Sequence, residues 1–371
     1  MGQETRERGG REHSRTVSLD TFRGCLLGGA VGDALGAPVE FLDRESIRRQ
    51  FGPGGIRQYV EAYGRLGAIT DDTQMSLFTA EGLLRGWVRG REKGLSTYTG
   101  TTHHAYLRWV RTQGEAPRTN VGTDGWLYAQ PELHHCRAPG NTCLTALRQA
   151  QAFGQFPRND SKGCGGVMRV APVGLFLARA PWNPDPMEAF DLAVELAALT
   201  HGHPTGQLAA GVLAQLIFEL ARGEPLNSAL DGATDYLSRQ PRAEETLRAL
   251  DAARELAAGG GAPASLLPRL GQGWIAEEAL GMGVYCALVA EGFADGVILA
   301  VNHSGDSDST GAIAGHLLGM IHGPAAIPEG WLAPLELREV IEIIAEDLYR
   351  YRAWPETEAG QERARQRYPG W

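Results

Sequence analysis

The sequence predicts an all-α fold, because apolar residues recur at helical spacing while strand patterns are nearly absent. Two segments each carry one apolar face. The first face comprises Leu208, Val212, Leu213, Leu216, Ile217 and Leu220, and the second comprises Leu337, Val340, Ile341, Ile344 and Leu348. Residues 56–62 are the single weak candidate for a strand. We therefore expect helices to build the core.

Further segments have the same helical pattern, and the ranges are 73–88, 187–200, 244–258 and 276–291. The helix that begins before Leu208 should end at Arg222-Gly223, since a basic last turn followed by glycine is typical of helix C-termini. Residues 112–141 are rich in Gly, Pro, Thr and Asn, which predicts a long ordered loop or lid.

Glycines recur every fourth residue in two segments, the first with Gly28, Gly32 and Gly36 and the second with Gly311, Gly315, Gly319 and Gly323. In a helix this spacing places each set along one face. Each glycine costs about 1 kcal/mol of helix stability relative to alanine. The pattern is favourable where two helix backbones cross closely, so we expect these two helices to form the floor of the site.

Composition excludes some classes of protein. The chain has 371 residues, of which 43% are hydrophobic and 21% charged, as in soluble globular proteins. Its net charge of −9 argues against a general nucleic-acid binder, which would present a basic face. The five cysteines are odd in number and form no CxxC pair, which predicts free thiols and a reducing compartment such as the cytoplasm.

Two segments bear on targeting. Residues 1–16 are polar and lack an apolar stretch, so we expect a disordered tail and no signal peptide. Residues 309–327 lack charges and have about the length of a membrane span. They contain His316, His322 and Pro324 together with four glycines, which favours a buried helix, and we expect no membrane partner.

Two acidic clusters precede helical runs, and their residues are Thr70, Asp71 and Asp72 in the first and Asp306, Asp308 and Ser309 in the second. One interpretation is that both are ordinary helix starts, with Thr70 and Asp308 as N-caps. The other is that the fold brings them together. Four carboxylates and two hydroxyls would then form an oxygen-only ligand set for two hard cations such as Mg²⁺ or Mn²⁺.

A glycine-rich segment, 161–169, contains Ser161, Gly163, Gly165 and Gly166. Glycines let backbone N–H groups approach phosphate oxygens, although the spacing is not that of a P-loop. A turn before a helix is the alternative interpretation.

His201 and His203 form an HxH pair, but no further ligand lies at zinc spacing. We expect one of them to stack or to donate a hydrogen bond, or to be a structural residue at a helix end. The pairs that begin at His103 and His134 are interpreted as surface or loop residues.

Glu40 follows Pro38, which should end the preceding helix. Its place on a loop beside a helix C-terminus suits a general base or a group that holds water near a metal. Asp33 is expected to be a structural hydrogen-bond partner within the same turn.

Six sequence blocks, which follow one another in the order expected for the family, resemble the ADP-ribosylglycohydrolases. This family includes the dinitrogenase-reductase-activating and ADP-ribosyl-acceptor hydrolases. The blocks are 22–41, 67–84, 162–175, 200–212, 273–286 and 302–323. The resemblance implies a compact single-domain orthogonal helix bundle with a dinuclear Mg²⁺ or Mn²⁺ site at its centre. We assign residues 17–354 to this domain, 1–16 to a tail and 355–371 to a C-terminal extension.

The resemblance also implies roles for residues. The implied metal ligands are Thr70, Asp71, Asp72, Asp306, Asp308 and Ser309. Glu40 would lie near the attacking water, with Asp71 and Asp306 also catalytic, and the segment containing Ser161, Gly163, Gly165 and Gly166 would hold ADP-ribose together with His201. The implied partner is an ADP-ribosylated protein, the implied product is ADP-ribose, and we expect a monomer.

Alternatives remain at this stage. Ser309 after the second Asp resembles arginine-directed members, whereas serine-directed members tend to carry Thr there, so a serine-directed hydrolase is the first alternative. Cys164 stands where relatives often carry Asn. A non-catalytic ADP-ribose-binding or structural family member and a two-metal phosphoesterase are the others, although phosphoesterase sites usually include His ligands.

Overall fold

Helices make up the architecture of the computed structural model, in which residues 17–370 are described. The seventeen α-helices of this range are α1 (Leu19–Gly36), α2 (Arg44–Phe51), α3 (Asp71–Lys93), α4 (Tyr98–Thr112), α5 (Asn141–Gln149), α6 (Ala171–Ala178), α7 (Pro186–Ala198), α8 (Pro204–Ala221), α9 (Leu226–Ser238), α10 (Glu244–Ala258), α11 (Pro263–Leu266), α12 (Ala276–Val289), α13 (Phe293–Val301), α14 (Ser307–His322), α15 (Glu329–Leu332), α16 (Arg338–Arg350) and α17 (Glu358–Arg367). The all-α prediction is confirmed.

The helices predicted from apolar periodicity are all present, with ends that differ by a few residues. The helix expected at 244–258 matches α10 in both bounds, while α3 begins at Asp71 and runs on to Lys93. The strand prediction for 56–62 is wrong, since this segment contributes only an isolated bridge between Ala62 and Arg65. A lone weak alternation cannot form a strand when residues 17–370 offer no second strand to pair with it.

The two glycine stripes do cross, and they bring α1 and α14 together along their length. A Cβ atom at Gly28 would collide with the carbonyl oxygen of Gly315, and a Cβ at Gly32 would collide with that of Gly311. The same holds in reverse, so neither helix tolerates a side chain on this face. The crossing fixes the C-terminal end of α1 beside the N-terminal end of α14.

Each acidic cluster lies at a helix N-terminus. The Thr70 side chain caps α3 by accepting a hydrogen bond from the Asp72 N–H, as expected. The cap of α14 is Asp306, which accepts from the Ser309 N–H, so the assignment of Asp308 as the cap is wrong. Asp308 lies inside the first turn, because the chain makes a tight turn at Gly305 (φ 133°) and the helix begins at Ser307.

A second group of charges is buried further along α3, and we call Glu81, Arg85 and Arg108 the arginine cluster. All three side chains are fully buried. Arg85 Nε lies 3.2 Å from Glu81 Oε1, and Arg108 Nη2 lies 2.6 Å from Glu81 Oε2. Arg85 also contacts Asp124, at 3.0 Å. Its charges balance, since two guanidinium groups face two carboxylates.

The long segment between α4 and α5 is irregular apart from a short 3₁₀ turn at Pro131–Leu133, as predicted. Arg137 near its end is buried and pairs with Glu336, at 3.2 Å, while donating to the Ile69 carbonyl. These contacts hold the segment against the residues that precede α3.

The C-terminal residues pack against the body of the protein. Tyr368 is fully buried and donates a hydrogen bond to Asp347, which also pairs with Arg367 at 2.7 Å. The boundary placed after residue 354 stays a prediction, and the expected tail at 1–16 lies outside the described residues. Within residues 17–370 no single helix has the length and apolar character needed to cross a membrane, although α1 and α2, bent by 91°, pass that test as a pair.

Candidate functional site

The two acidic clusters meet. Carboxylate oxygens of Glu40, Asp306 and Asp308 lie within 4.8 Å of one another, and all three side chains are buried. Asp71 and Asp72 are buried beside them, and the nearby Asp308 carboxylate raises the pKa of both. We call Glu40, Asp71, Asp72, Asp306 and Asp308 the acid cluster. It joins the start of α3, the start of α14 and the turn after α1.

Burial and mutual repulsion dominate the electrostatics of the acid cluster. Burial raises the pKa of Asp71, Asp72 and Asp306 well above the usual range, and the charge of Asp308 raises it further. For Glu40, burial and then Asp308 and Asp306 raise the pKa to about 10. Five carboxylates this close cannot all be ionised unless protons or cations balance them.

Asp33 ties the cluster together from below. Its carboxylate accepts hydrogen bonds from the N–H groups of Thr70 and Thr73, each at 3.1 Å, and from both of their hydroxyls. The expected structural role is therefore found, but the partners lie on α3 and not in the turn of Asp33 itself. Burial, followed by the charge of Asp308, raises the pKa of Asp33 to about 7.

The atoms of the acid cluster fit hard divalent cations. Among the described residues, Glu40 Oε2 and Asp72 Oδ2 are buried without a hydrogen-bond partner, an arrangement that is costly unless a cation or proton balances it. The cluster offers carboxylate oxygens, and the Thr70 and Ser309 hydroxyls lie at the same two helix starts. Oxygens of these types are the ligands that Mg²⁺ and Mn²⁺ prefer. The described residues can therefore hold a metal at this site.

Two sulfur atoms also border the cluster. Cys164 Sγ lies 2.7 Å from Asp306 Oδ2, where the thiol donates to the carboxylate. The Ser309 hydroxyl lies 3.7 Å from Cys164 Sγ and 3.8 Å from Met168 Sδ. The Cys164 contact is the one the resemblance had left open, because relatives often carry Asn at this position.

The glycine-rich segment forms a 3₁₀ turn at Cys164–Gly166 beside the acid cluster. Ser161 Oγ is 3.0 Å from Thr142 Oγ1, and Gly163 and Gly165 lie over the ring of His201. That ring is buried and its Nδ1 lies 2.8 Å from the Thr200 hydroxyl. His201 thus supports the loop from beneath.

A cavity of about 680 Å³ adjoins this loop. It reaches from Asn141 and Thr142 to Ser161 and includes the side chains of Arg118 and Arg158. The Lys162 ammonium group does not add positive charge to this cavity, because it pairs with Glu245 and Glu277. Two arginines and a helix N-terminus make this cavity suitable for an anionic ligand.

One expectation about histidines is wrong. His103 and His104 are buried within α4. The ring of His104 accepts a hydrogen bond from Arg108, and His103 Nδ1 accepts one from the Gly154 N–H. A histidine also lies beside the second acidic cluster. His303 is buried with its Nε2 2.8 Å from the Thr310 hydroxyl, so it supports the start of α14.

Comparisons with known proteins agree with this geometry. The family model described as ADP-ribosylglycohydrolase matches residues 14–358. The chain is 28% identical to the ADP-ribosyl-[dinitrogen reductase] glycohydrolase of Rhodospirillum rubrum, over 87% of this chain and 93% of that protein. It is 25% identical to an ADP-ribosylarginine hydrolase of Pseudomonas putida, over 90% and 78% of the two chains.

A solved structure is similar as well. It is described as an ADP-ribosylglycohydrolase-related protein complex, and it matches with a TM-score of 0.63 and 30% identity over 90% of this chain and 98% of that one. The match to the family model covers nearly the whole chain and includes every residue of the acid cluster. The chain belongs to the ADP-ribosylglycohydrolase family.

Proposed function

We propose that the protein is a metal-dependent hydrolase that cleaves the bond between ADP-ribose and an acceptor side chain, with ADP-ribosyl-arginine as the substrate. The observation that carries this proposal is the convergence of two distant acidic clusters on one buried site, near a cavity of about 680 Å³ that is lined in part by two arginines. The bond from C1 of the distal ribose to the guanidinium nitrogen breaks. Water supplies hydroxide to C1 and a proton to the departing nitrogen.

Two divalent cations would be held by Thr70, Asp71, Asp72, Asp306, Asp308 and Ser309. The unpartnered Asp72 Oδ2 and Glu40 Oε2 atoms and the mutual repulsion of the carboxylates support this assignment. When bound, such cations balance the buried charge, orient ribose hydroxyls and lower the pKa of water.

Glu40 is the residue that we propose as the proton acceptor. Its Oε2 atom is buried, has no hydrogen-bond partner among the described residues and lies in the group with Asp306 and Asp308. In its ionised form, which cations beside the neighbouring aspartates would favour, the Glu40 carboxylate can accept a proton from water. Asp71 and Asp306 stabilise the oxocarbenium-like charge that develops on the ribose.

The ADP portion of the substrate would lie along the glycine-rich loop. Gly163 and Gly165 keep the loop backbone close to the His201 ring, and Ser161 supplies a hydroxyl at the edge of the cavity. Arg118 and Arg158 offer positive charge to the phosphates. His201 contributes by holding the loop in place from below.

The experiment is the release of ADP-ribose from proteins modified on arginine or on serine, in Mg²⁺, Mn²⁺ or EDTA. We expect release from arginine that requires metal and that Asp71→Asn and Asp306→Asn reduce by about 10³-fold or more, while circular dichroism stays unchanged. Asp251→Asn, which changes an exposed aspartate on α10, is the matched control and should retain full activity.

Three results would contradict the proposal in different ways. Retained activity in either acid-cluster variant would remove the catalytic role of the cluster. Release from serine alone would favour the serine-directed alternative. Metal binding without release from any substrate would indicate a binding or structural member of the family, and phosphate release without free ADP-ribose would indicate a phosphoesterase.

A further inference from the structure

Two large aromatic side chains stand exposed at the edge of the acid cluster. Phe41 is 72% exposed and Trp274 is 39% exposed. Their rings stack on each other, with centroids 5.8 Å apart and planes at 20°. Other large side chains are exposed as well, among them Phe156 at 52%, but Phe41 and Trp274 form one stacked pair next to the acid cluster. A contiguous exposed apolar patch is typical of a binding site, whereas a single exposed apolar side chain is not.

The chain holds Phe41 at a fixed place relative to the acids. It directly follows Glu40, whose carboxylate lies within 4.8 Å of Asp306 and Asp308. The turn is closed by a 3.0 Å hydrogen bond from the Leu42 N–H to the Val39 carbonyl. The ring is therefore one residue away from the proposed proton acceptor.

Trp274 is anchored from the opposite side. Its carbonyl accepts from the Cys164 N–H at 3.2 Å, and the Gln272 carbonyl accepts from the Asp306 N–H at 2.8 Å. Gly273, with φ 83°, packs against Thr310 where a Cβ atom would lie 2.7 Å from that side chain. The indole is thus tied both to the glycine-rich loop and to the start of α14.

We propose that Phe41 and Trp274 determine acceptor specificity by stacking on the guanidinium of the ADP-ribosylated arginine. This inference rests on the proposed function and deepens it. A planar cation is attracted to aromatic faces, and Arg uses them more often than Lys. A neutral serine acceptor offers the rings no such positive charge.

The adenine base could also stack on an aromatic pair, but the position of the pair favours the acceptor. The anion-binding cavity starts at Ser161 and contains its own aromatic side chain, Phe156. The Trp274 backbone instead meets the loop at Cys164, whose thiol touches Asp306. The aromatic pair therefore lies on the acid-cluster side of the loop.

The test distinguishes stacking on an aromatic face from simple contact with an apolar side chain. Phe41→Leu keeps an apolar side chain without a π face, whereas Phe41→Tyr keeps the face. We expect Phe41→Leu to raise KM for ADP-ribosyl-arginine about tenfold. We expect Phe41→Tyr to match the parent, with kcat, KM for ADP-ribosyl-serine peptide and the Kd of ADP-ribose unchanged in both. Leu95→Ala, at an exposed position away from the site, is the control.

Trp274→Ala should have the same effect as Phe41→Leu, and the highly exposed Phe41 carries the test if that variant fails to fold. Equal changes in KM for both acceptors would overturn the proposal. So would a parent-like KM in Phe41→Leu, and a weaker Kd for ADP-ribose would assign the rings to adenine instead.

A binding assay with agmatine, which carries a guanidinium group, tests the specificity role independently of the proposed hydrolysis. Calorimetry of the Mn²⁺-loaded protein gives the Kd of agmatine and of n-butylamine. The difference between the two values measures recognition of the guanidinium group without hydrolysis. If the parent releases no ADP-ribose but binds agmatine about tenfold more tightly than Phe41→Leu does, the proposed function fails and the specificity role stands. Agmatine binding that is equal in the two proteins overturns the specificity role alone.

Discussion

Helix α3 contributes to two buried charge clusters, and only one of them is balanced. The arginine cluster sets Glu81 and Asp124 against two guanidinium groups. The acid cluster at the start of the same helix has five carboxylates, and neutral groups such as the Cys164 thiol are what approach them. Glu81, Arg85 and Arg108 are as buried as the acid cluster, and only Asp124 is partly exposed, at 46%. The difference in charge balance indicates that the first cluster stabilises the fold and the second serves a ligand.

The largest expected effect is a loss of stability with rising pH in the metal-free protein, which the acid cluster and Asp33 cause and the arginine cluster does not. Raised pKa values for Asp33 (about 7) and Glu40 (about 10) mean that the folded state holds protons that the unfolded state releases near pH 4. Their stabilising contribution is complete below that pH and is lost as pH rises through the folded values. Each proton that only the folded state holds costs about 1.4 kcal/mol of unfolding free energy per pH unit, so the metal-free protein should lose several kcal/mol of stability between pH 5 and 7.

Urea unfolding in EDTA at pH 5, 6 and 7 measures this loss. Protein saturated with Mg²⁺ or Mn²⁺ is the control, and its free energy of unfolding should vary far less over the same range. A metal-free protein that becomes more stable from pH 5 to 7 would show that the acid cluster is not repulsive.

The second prediction addresses the balanced cluster. Glu81→Gln leaves two buried guanidinium groups with one fewer carboxylate, which typically costs about 3 kcal/mol of unfolding free energy. Asp124 still pairs with Arg85, so the loss should lie at the low end for a broken buried pair. Glu92→Gln, near the end of the same helix and partly exposed, is the matched control and should cost about 0.5 kcal/mol or less.

Local patterns made the site partly predictable. The two acidic clusters could be recognised in the sequence because neighbouring residues determine where a helix starts. The spacing of the glycines likewise predicted the crossing that brings α1 and α14 together. The choice of partner across the fold is a long-range matter, and here the sequence was less informative. Asp33 binds Thr73 on α3, and His104 lies buried against Arg108, where it had been interpreted as a surface or loop residue.

The third prediction tests whether cations complete the unbalanced cluster. At a concentration of Mn²⁺ one hundred times the Kd, the free energy of unfolding should rise by about 2.7 kcal/mol relative to EDTA. Asp72→Asn should abolish this increment because it removes a buried, unpartnered carboxylate oxygen. Glu81→Gln should keep the increment in full, since the carboxylates of the arginine cluster already face guanidinium groups. An increment that survives in Asp72→Asn would place the metal elsewhere.

The smallest expected effect concerns Asp33, the residue that positions the acid cluster without belonging to it. Asp33→Asn keeps one acceptor oxygen but turns an N–H₂ group toward hydroxyls that now donate to a carboxylate. Outer residues of this kind change metal affinity by about tenfold, so calorimetry should give a Mn²⁺ Kd weaker by that factor. Asp20→Asn, exposed in the first turn of α1, should leave the Kd unchanged. A parent-like Kd in Asp33→Asn would mean that the start of α3 is positioned by the α1–α14 crossing alone, and that the four hydrogen bonds to Asp33 contribute to stability only.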